Sequence, residues 1–325
     1  MPKIAQIGCG GWGRNLARNL HELGALAAIA DPAAEAAARA AEYGVAHHAD
    51  WRPVLADAAV DAVSIATPAE THAEVALAAI RAGKDVFLEK PIALDIDEAR
   101  TLAGAAADVG RILMVGHVLN YHPAFERLSA LCRERAFGTL RHLRSNRQSF
   151  GKVRSEEDVV WSFAPHDISM LLALAGAMPE SVSASAASCL RSGIADLATL
   201  HLDFGDGLTA AINVSWIDPE KQHRLTVIGE DGMAIFDDTA GWDRKVVRFD
   251  HRLMNGDGTP HPRRGDGEAI SLEPAEPLKA EMRHFMRCIE TRETPRTDSA
   301  EAIRVLQVLE AARRSMAGNG AAVAP

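Results

Sequence analysis

Cysteine is scarce in this chain of 325 residues, and the four cysteines show no metal-ligand pattern. Cys9, Cys132, Cys189 and Cys288 lie far apart, whereas zinc sites typically use closely spaced cysteine or histidine pairs. The same scatter gives no disulfide framework of the kind that stabilises small secreted domains. We therefore expect reduced, mostly structural cysteines and no metal centre.

Long apolar runs and an excess of positive charge are also missing. No run approaches the roughly 20 apolar residues of a membrane-spanning helix, and residues 1–3 enter an apolar strand without a signal-peptide pattern. The formal net charge of -9 is the opposite of the basic footprint typical of nucleic-acid binding. We expect a cytoplasmic protein with no membrane or nucleic-acid partner, although a local arginine cluster can still bind an anionic substrate.

A glycine-rich turn follows the first predicted strand, residues 3–7. Glycines spaced as they are in this turn allow a tight bend, close approach of the backbone to a pyrophosphate, and close packing of the next helix. That helix is predicted over residues 14–23. The candidate contacts with a dinucleotide are Gly8, Gly10, Gly11, Trp12 and Gly13.

A second predicted strand, residues 25–30, ends in Asp31. A carboxylate there can accept hydrogen bonds from the adenosine ribose hydroxyls and repels a ribose phosphate, so the pattern predicts NAD and not NADP as the cofactor. Thr67 and Pro68 follow another strand, where they either contact the ribose or nicotinamide or form a simple turn. His72, at the start of the next helix, is a further cofactor-site candidate; the alternative is a partly exposed helix residue.

Glu89, Lys90 and Pro91 come directly after an apolar strand, residues 86–88. Ligands of open parallel sheets bind beyond the carboxyl ends of the strands. We therefore expect Glu89 in the cofactor site and the ammonium of Lys90 near the nicotinamide and the substrate. A plain junction between strand and loop is the alternative.

Strands and helices alternate over residues 1–120, whereas closely spaced strands with hairpin turns dominate the rest. Alternation is typical of a doubly wound parallel sheet, and successive strands are typical of an antiparallel one. We predict an α/β protein with an NAD-binding Rossmann domain over 1–120 and an α+β domain for substrate binding and oligomerisation over 121–325. The open-faced, mainly antiparallel sheet expected in the second domain suits a homodimer or homotetramer. Residues 255–267, rich in Gly, Pro, Asp and Arg, are predicted to be a mobile loop.

A basic run precedes a helix predicted around residues 167–174. Alternate guanidinium groups suit a pyrophosphate, but a solvated strand face paired with the acidic residues 156–158 explains the run equally well. Trp161 either stacks on a sugar or uracil ring or is buried. His117 and Asn120 lie at the crossing between the domains and are candidates to line the cleft. The basic run consists of Arg144, Arg147, Lys152 and Arg154.

The glycine loop, the aspartate after the second strand, Glu89-Lys90-Pro91 and Ser162-Phe163-Ala164-Pro165-His166-Asp167 together resemble the Gfo/Idh/MocA family of sugar oxidoreductases. The resemblance covers nearly the whole chain. In that family the motif lysine and a histidine on the helix entering the second domain face the nicotinamide, which implies catalytic roles for Lys90 and His166. Members often have an aspartate four residues before that histidine, where this chain has Ser162, so the resemblance leaves Lys90 and His166 as the polar pair.

Around that histidine the chain is similar to the branch that oxidises UDP-N-acetylglucosamine at the 3-position. The similarity implies a nucleotide-sugar substrate and a 3-keto product, which feeds an aminotransferase in lipid A and lipopolysaccharide biosynthesis. The residues that carry it are Arg147, Phe150-Gly151, Arg154 and the run from Val160 to Asp167. The candidate substrate-binding residues are Lys90, His117, Asn120, Arg147, Arg154, Trp161 and His166.

Oxidation of a secondary alcohol needs a hydride acceptor and a base for the hydroxyl proton. His166 is the expected base because an imidazole titrates near neutral pH. Lys90 either stabilises alkoxide character or, with a pKa lowered by desolvation, is itself the base. Two other functions stay open: a dehydrogenase of another sugar or of inositol, and a non-catalytic NAD-binding sensor or assembly protein, which the pairing of Lys90 with His166 disfavours.

Overall fold

The computed structural model describes residues 1–325 apart from 152, 156, 257 and 258. The chain divides into two units, one made of Met1–Tyr121 and Glu276–Leu306, the other of His122–Ala275 and Gln307–Pro325. The first unit contains a six-stranded sheet, and the second contains an eight-stranded and a two-stranded sheet.

Strands and helices alternate through the first part of the chain. Strand β3 and helices α3 and α5 are present in addition to the elements expected from the sequence pattern. Helix α5 begins after an N-cap residue, since the side chain of Asp95 accepts hydrogen bonds from the backbone N–H groups of Asp97 and Glu98. In chain order the elements are β1 (Ile4–Ile7), α1 (Gly13–Glu22), β2 (Leu26–Ala30), α2 (Ala34–Tyr43), β3 (Ala46–His48), α3 (Arg52–Ala56), β4 (Ala62–Ile65), α4 (His72–Arg81), β5 (Asp85–Leu88), α5 (Ile96–Asp108) and β6 (Leu113–Val115).

The six strands of the first unit form one parallel sheet in the order β3-β2-β1-β4-β5-β6. Strands β1, β4, β5 and β6 are buried along their whole length, as expected for a sheet covered by helices on both faces. The predicted doubly wound sheet is confirmed. The strand order reverses between β1 and β4, and the carboxyl ends at this point are where such sheets bind ligands.

The second part of the chain is dominated by strands. Its elements in chain order are α6 (Pro123–Arg133), β7 (Leu140–Phe150), α7 (Val159–Ala175), β8 (Ser181–Ala187), β9 (Leu197–Asp203), β10 (Thr209–Ser215), β11 (Ile217–Gly229), β12 (Met233–Asp237), β13 (Val246–Phe249), β14 (Arg252–Gly256), β15 (Thr259–Arg263), β16 (Gly267–Ala269), α8 (Pro277–Thr291) and α9 (Ser299–Ala317). Eight strands of the second unit form a sheet in the order β16-β13-β12-β11-β7-β10-β9-β8, which is antiparallel except for the pair β7 and β10, and β14 and β15 form a separate two-stranded sheet. The predicted mainly antiparallel sheet is confirmed.

Two local predictions in this part are wrong. Helix α7 begins at Val159, well before residue 167, because Asp158 accepts hydrogen bonds from the backbone N–H groups of Val160 and Trp161 and so caps the helix. The predicted loop 255–267 instead contributes to β14, β15 and β16, with β14 and β15 paired antiparallel. Strand formation depends strongly on tertiary context, so the low strand propensity of this run did not determine its structure. Residues 257 and 258 of that loop lie outside the described residues.

Helix α8 belongs to the first unit although it lies late in the chain. Its residues Leu278, Met282 and Phe285 are buried in a hydrophobic cluster with Phe87 and Met114 of the parallel sheet. The spacing of three and four residues places these α8 side chains on one face of the helix. A segment of the second predicted domain therefore completes the core around the Rossmann sheet.

Candidate active site

The glycine loop connects β1 to α1 in a conformation that requires glycine. Gly8 has a φ of +80°, and a Cβ there would lie 2.6 Å from the Ala66 carbonyl oxygen. A Cβ on Gly13 would lie 2.1 Å from the Gly8 carbonyl oxygen, so α1 can approach the loop only because that residue is glycine. Gly10 and Gly11 face open space, with no described atom within 4 Å of an added Cβ. This open backbone surface at a helix N-terminus fits the pyrophosphate of a dinucleotide.

Asp31 follows β2 and is anchored to the glycine loop. Its Oδ2 accepts a hydrogen bond from the backbone N–H of Cys9 at 2.6 Å, and its Oδ1 accepts one from Ala33 at 2.8 Å. Each carboxylate oxygen has a further lone pair, so the group can also accept hydrogen bonds from ribose hydroxyls. The position and charge of Asp31 fit NAD, whose adenosine ribose carries no phosphate.

Thr67, Pro68 and His72 cluster after β4. The Thr71 hydroxyl lies 2.8 Å from both the Thr67 hydroxyl and the Pro68 carbonyl oxygen, which defines a hydrogen-bonded turn. His72 is only 2% exposed, so the alternative of a partly exposed helix residue is wrong. Its ring lies between two carbonyl oxygens, with Nδ1 2.7 Å from Pro91 and Nε2 3.0 Å from Thr67. Burial lowers the pKa of His72 despite these contacts, so its structural role is to link the two loops.

Glu89 and Lys90 end β5 at the same edge of the sheet. Glu89 is 9% exposed; its Oε1 accepts a hydrogen bond from the Trp12 indole, and its Oε2 accepts one from the Lys90 backbone at 3.3 Å. Burial raises the pKa of Glu89 to about 7, and the Trp12 hydrogen bond and the Lys90 charge limit this rise. Lys90 is half-buried and precedes a cis peptide bond to Pro91. The structure thus brings Glu89, Lys90 and the glycine loop together.

His117 and Asn120, which follow β6, are both buried. His117 Nδ1 lies 2.7 Å from a carboxylate oxygen of Glu301 in α9. The Arg296 guanidinium donates a hydrogen bond to the Asn120 carbonyl oxygen at 2.5 Å and lies over the Tyr121 ring. These contacts hold both residues within the first unit. Their contact with substrate stays a prediction.

Arg147, a predicted diphosphate ligand, forms a buried ion pair in the second unit. Its Nε lies 2.6 Å from Asp167 Oδ2, and the two side chains are 11% and 1% exposed. The Ser145 hydroxyl donates a hydrogen bond to Asp167 Oδ1 at 2.5 Å. Since Ser145 and Arg147 are two residues apart on β7, they point to the same face of the sheet. The guanidinium of Arg147 therefore fixes α7 against β7 through Asp167.

The other predicted residues of the second unit lie on or near α7. His166 and Trp161 are half-buried, and Ser162 is buried one turn before His166 on the same face of the helix. Arg154 is exposed, with its Nε 3.8 Å from a Glu157 carboxylate oxygen. Lys152 and Glu156, which belong to the predicted basic run and its acidic partners, lie outside the described residues.

His284, Cys288 and Glu293 each offer one metal-ligand atom, and these atoms lie within 4.8 Å of one another. The ring nitrogens of His284 face the Arg287 guanidinium at 2.9 Å and the Arg296 backbone N–H at 3.0 Å. Burial raises the pKa of Cys288 to about 11, which disfavours the thiolate that a metal would need. Nitrogen donors around the histidine and a protonated thiol do not suit a cation.

Family models match both parts of the chain. Residues 3–117 match the model described as an oxidoreductase family with an NAD-binding Rossmann fold, and residues 125–235 match the Gfo/Idh/MocA C-terminal domain. The chain belongs to the Gfo/Idh/MocA oxidoreductase family. The predicted family and the NAD cofactor are confirmed by these family models. The predicted enzyme class, an NAD-dependent sugar dehydrogenase, is confirmed by the family membership together with the relatives.

The chain is 33% identical over 303 residues to UDP-N-acetylglucosamine 3-dehydrogenase from Acidithiobacillus ferrooxidans, which covers 92% of each chain. A solved structure of a protein of that name from the same organism has a TM-score of 0.85 at 31% identity, covering 97% of each chain. Another relative, D-xylose 1-dehydrogenase (NADP(+)) 2 from Haloferax volcanii, is 27% identical over 323 residues, covering 93% of this chain and 92% of its own. The family thus includes dehydrogenases named for different sugars.

The burial of several carboxylates in the two units was not predicted from the sequence. Glu281, Glu301 and Asp167 are each 8% exposed or less, yet they lie in helices where a carboxylate normally predicts a solvated position. The i, i+3, i+4 apolar spacing around Glu281 is a signal that could have revealed its burial. No helix in the part of the chain that the structure describes is long and apolar enough to cross a membrane.

Proposed function

We propose that this protein is an NAD-dependent UDP-N-acetylglucosamine 3-dehydrogenase, which oxidises the 3-hydroxyl of the sugar to a ketone. The observation that carries the proposal is the match along 92% of the chain to a protein of that name at 33% identity. The presence of Lys90 and His166 at the motif positions gives it the groups that the chemistry needs.

His166 takes the proton of the 3-hydroxyl in this proposal. A positioned general base typically contributes a factor of about 10² to 10⁴ in rate. Lys90 donates a hydrogen bond to the same oxygen and stabilises its negative charge as the proton leaves. The glycine loop and Asp31 would hold NAD, which would supply the acceptor for the hydride of the carbinol carbon. Because Ser162 supplies no carboxylate to raise the basicity of His166, Lys90 has a larger share of the proton chemistry than in relatives with aspartate there.

The diphosphate of the substrate requires cations that are not already neutralised. Arg154 is exposed and its nearest carboxylate is 3.8 Å away, so its guanidinium can exchange that partner for a phosphate. Arg147 has its charge compensated by buried Asp167 and acts as a positioning residue for α7. We assign the diphosphate contact to Arg154, ring stacking to Trp161, and polar sugar contacts to His117 or Asn120.

The 3-keto product is a suitable substrate for an aminotransferase, which replaces a ketone with an amine. We propose functional coupling to such an enzyme in lipopolysaccharide biosynthesis. A homodimer or homotetramer, built on the sheet of the second unit, is the proposed assembly.

The test is NADH formation, followed by absorbance at neutral pH, when the purified protein receives NAD and UDP-N-acetylglucosamine. A carbonyl trap or the aminotransferase must be present to pull the unfavourable equilibrium. We expect turnover with the nucleotide sugar and NAD, and much less with NADP. Turnover on free sugars but not on the nucleotide sugar would refute the proposed substrate and leave the dehydrogenase activity in place.

Inositol is the second candidate substrate. Inositol 2-dehydrogenase 2 from Saccharopolyspora erythraea is 34% identical over 200 residues, covering 59% of this chain and 58% of its own. This match spans a much smaller share of the chain than the match to the nucleotide-sugar enzyme. The same assay with inositol in place of the nucleotide sugar distinguishes the two.

A further inference from the structure

A single carboxyl group, that of Glu89, joins the glycine loop to the end of β5. The Trp12 indole donates a hydrogen bond to one oxygen and the Lys90 backbone N–H donates one to the other. The carboxyl also packs closely against the residue that follows β6, since a Cβ on Gly116 would lie 3.0 Å from both oxygens. The side chain is therefore confined, and its two oxygens bind donors from two different ligand-binding segments.

Charged and titratable groups face Glu89 from several elements. The Lys90 ammonium and His117 favour its ionised form, whereas burial opposes it and brings the pKa to about 7. From α8, Glu281 is fully buried, and neither of its oxygens has a hydrogen-bond partner among the described residues. Burial and the charge of Glu89 both raise the pKa of Glu281 well above its usual range.

These surroundings decide which of the two acids carries a charge. Two neighbouring buried carboxyls cannot both ionise readily. Glu89 has two hydrogen-bond donors and an adjacent ammonium, and Glu281 has none of these. Glu89 is therefore the first of the two to ionise as the pH rises, and Glu281 keeps its proton.

Ionisation of Glu89 changes the strength of its link to the loop. A hydrogen bond to a carboxylate is roughly twice as strong as one to a neutral acid. The indole N–H of Trp12 thus holds the glycine loop more firmly when Glu89 is ionised. Because the loop backbone receives the pyrophosphate, a loop fixed in its binding shape loses less entropy when the dinucleotide binds.

We propose that Glu89 is a positioning residue whose ionised carboxyl holds the glycine loop, through Trp12, in place beside Lys90, so that affinity for NAD increases as Glu89 loses its proton. The proposal rests on the NAD cofactor and is independent of which sugar is oxidised.

The experiment is calorimetric titration of the full-length protein with NAD between pH 6 and 8.5. We expect the Kd to fall about fivefold with a midpoint near pH 7, as the stronger charge-assisted hydrogen bond forms. Glu89→Gln is expected to bind weakly at every pH, and Glu89→Asp to recover part of the pH dependence. Trp12→Phe, at a residue that is 46% exposed, keeps the acid but removes the donor and is expected to flatten the curve. Glu70→Gln, at an exposed position, is the matched control and should titrate like the wild type.

A wild-type Kd that is constant over this range overturns the proposal. So does a wild-type pH dependence in Trp12→Phe. If Glu89→Gln does not fold, the Trp12→Phe titration decides alone, because the buried carboxyl is intact in that variant. The readout is binding without sugar, so a wrong sugar assignment leaves it unaffected.

Discussion

Replacing Arg147 by methionine is expected to destabilise the second unit by about 3 kcal/mol. The variant leaves the Asp167 carboxylate, which is 1% exposed, with the Ser145 hydroxyl as its remaining hydrogen-bond donor from β7. Removing one partner of a buried ion pair typically costs about 3 to 5 kcal/mol, because the other charge stays buried. The Ser145 hydrogen bond places the estimate at the low end.

Arg154→Met is the matched control, since both arginines belong to the predicted basic run. Arg154 has a 59% exposed side chain and a distant partner at 3.8 Å. Such exposed pairs contribute about 0 to 1 kcal/mol. Urea unfolding followed by circular dichroism should therefore shift for Arg147→Met and stay near the wild type for Arg154→Met, whereas the KM for the nucleotide sugar should rise for Arg154→Met.

The double variant Arg147→Met with Asp167→Leu tests the reason for the loss. Apolar residues in place of both partners leave no buried charge, so most of the stability should return. An Arg147→Met protein within about 0.5 kcal/mol of the wild type would show that the carboxylate is not held as the structure indicates.

Three other predictions concern single substitutions in the two units. Gly13→Ala should abolish NAD binding or folding, because its Cβ would lie 2.1 Å from a backbone oxygen. Gly11→Ala, with no described atom within 4 Å of the new Cβ, should fold normally. Equal thermal unfolding temperatures for the two variants would contradict this prediction. His166→Asn should lower kcat by about 10² to 10⁴ with an unchanged NAD Kd in calorimetry, and wild-type turnover would exclude His166 as the base. Because burial and the charge of Glu89 raise the pKa of Glu281 in the folded state, the contribution of this group to stability is largest below the ordinary glutamate pKa of 4.5. It declines as the pH rises above that value, by at most about 1.4 kcal/mol per pH unit. Glu281→Gln should therefore lose less stability than the wild type between pH 5 and 8 in urea unfolding, and an equal loss in both proteins would refute this.

The local patterns of the sequence predicted the parallel sheet and the position of its ligand-binding edge. The backbone geometry requires glycine at positions 8 and 13, so the spacing of these two glycines indicates a specific turn between strand and helix. Asp31 and Lys90 were placed by the same logic, because each comes directly after a strand whose carboxyl end is known from the alternation.

These local patterns could not predict side-chain contacts between residues far apart in the sequence. Asp167 meets Arg147 across 20 residues, and Glu281 reaches the first unit from a helix late in the chain. A carboxylate on a helix normally predicts solvent exposure, so neither burial could be derived without the tertiary contacts. His72 was misjudged for the same reason, since its ring bonds to the carbonyl of Pro91, 19 residues away.

The position of α8 late in the sequence has a practical consequence for expressing the cofactor-binding unit alone. A gene fragment that ends at Tyr121 encodes the whole parallel sheet but omits Leu278, Met282 and Phe285, so it exposes the apolar surface that they cover. A cut between Leu306 and Gln307, where the two units divide, falls inside α9. A fragment that contains the whole first unit and keeps α9 intact therefore joins residues 1–121 to residues 276–317 through a designed linker.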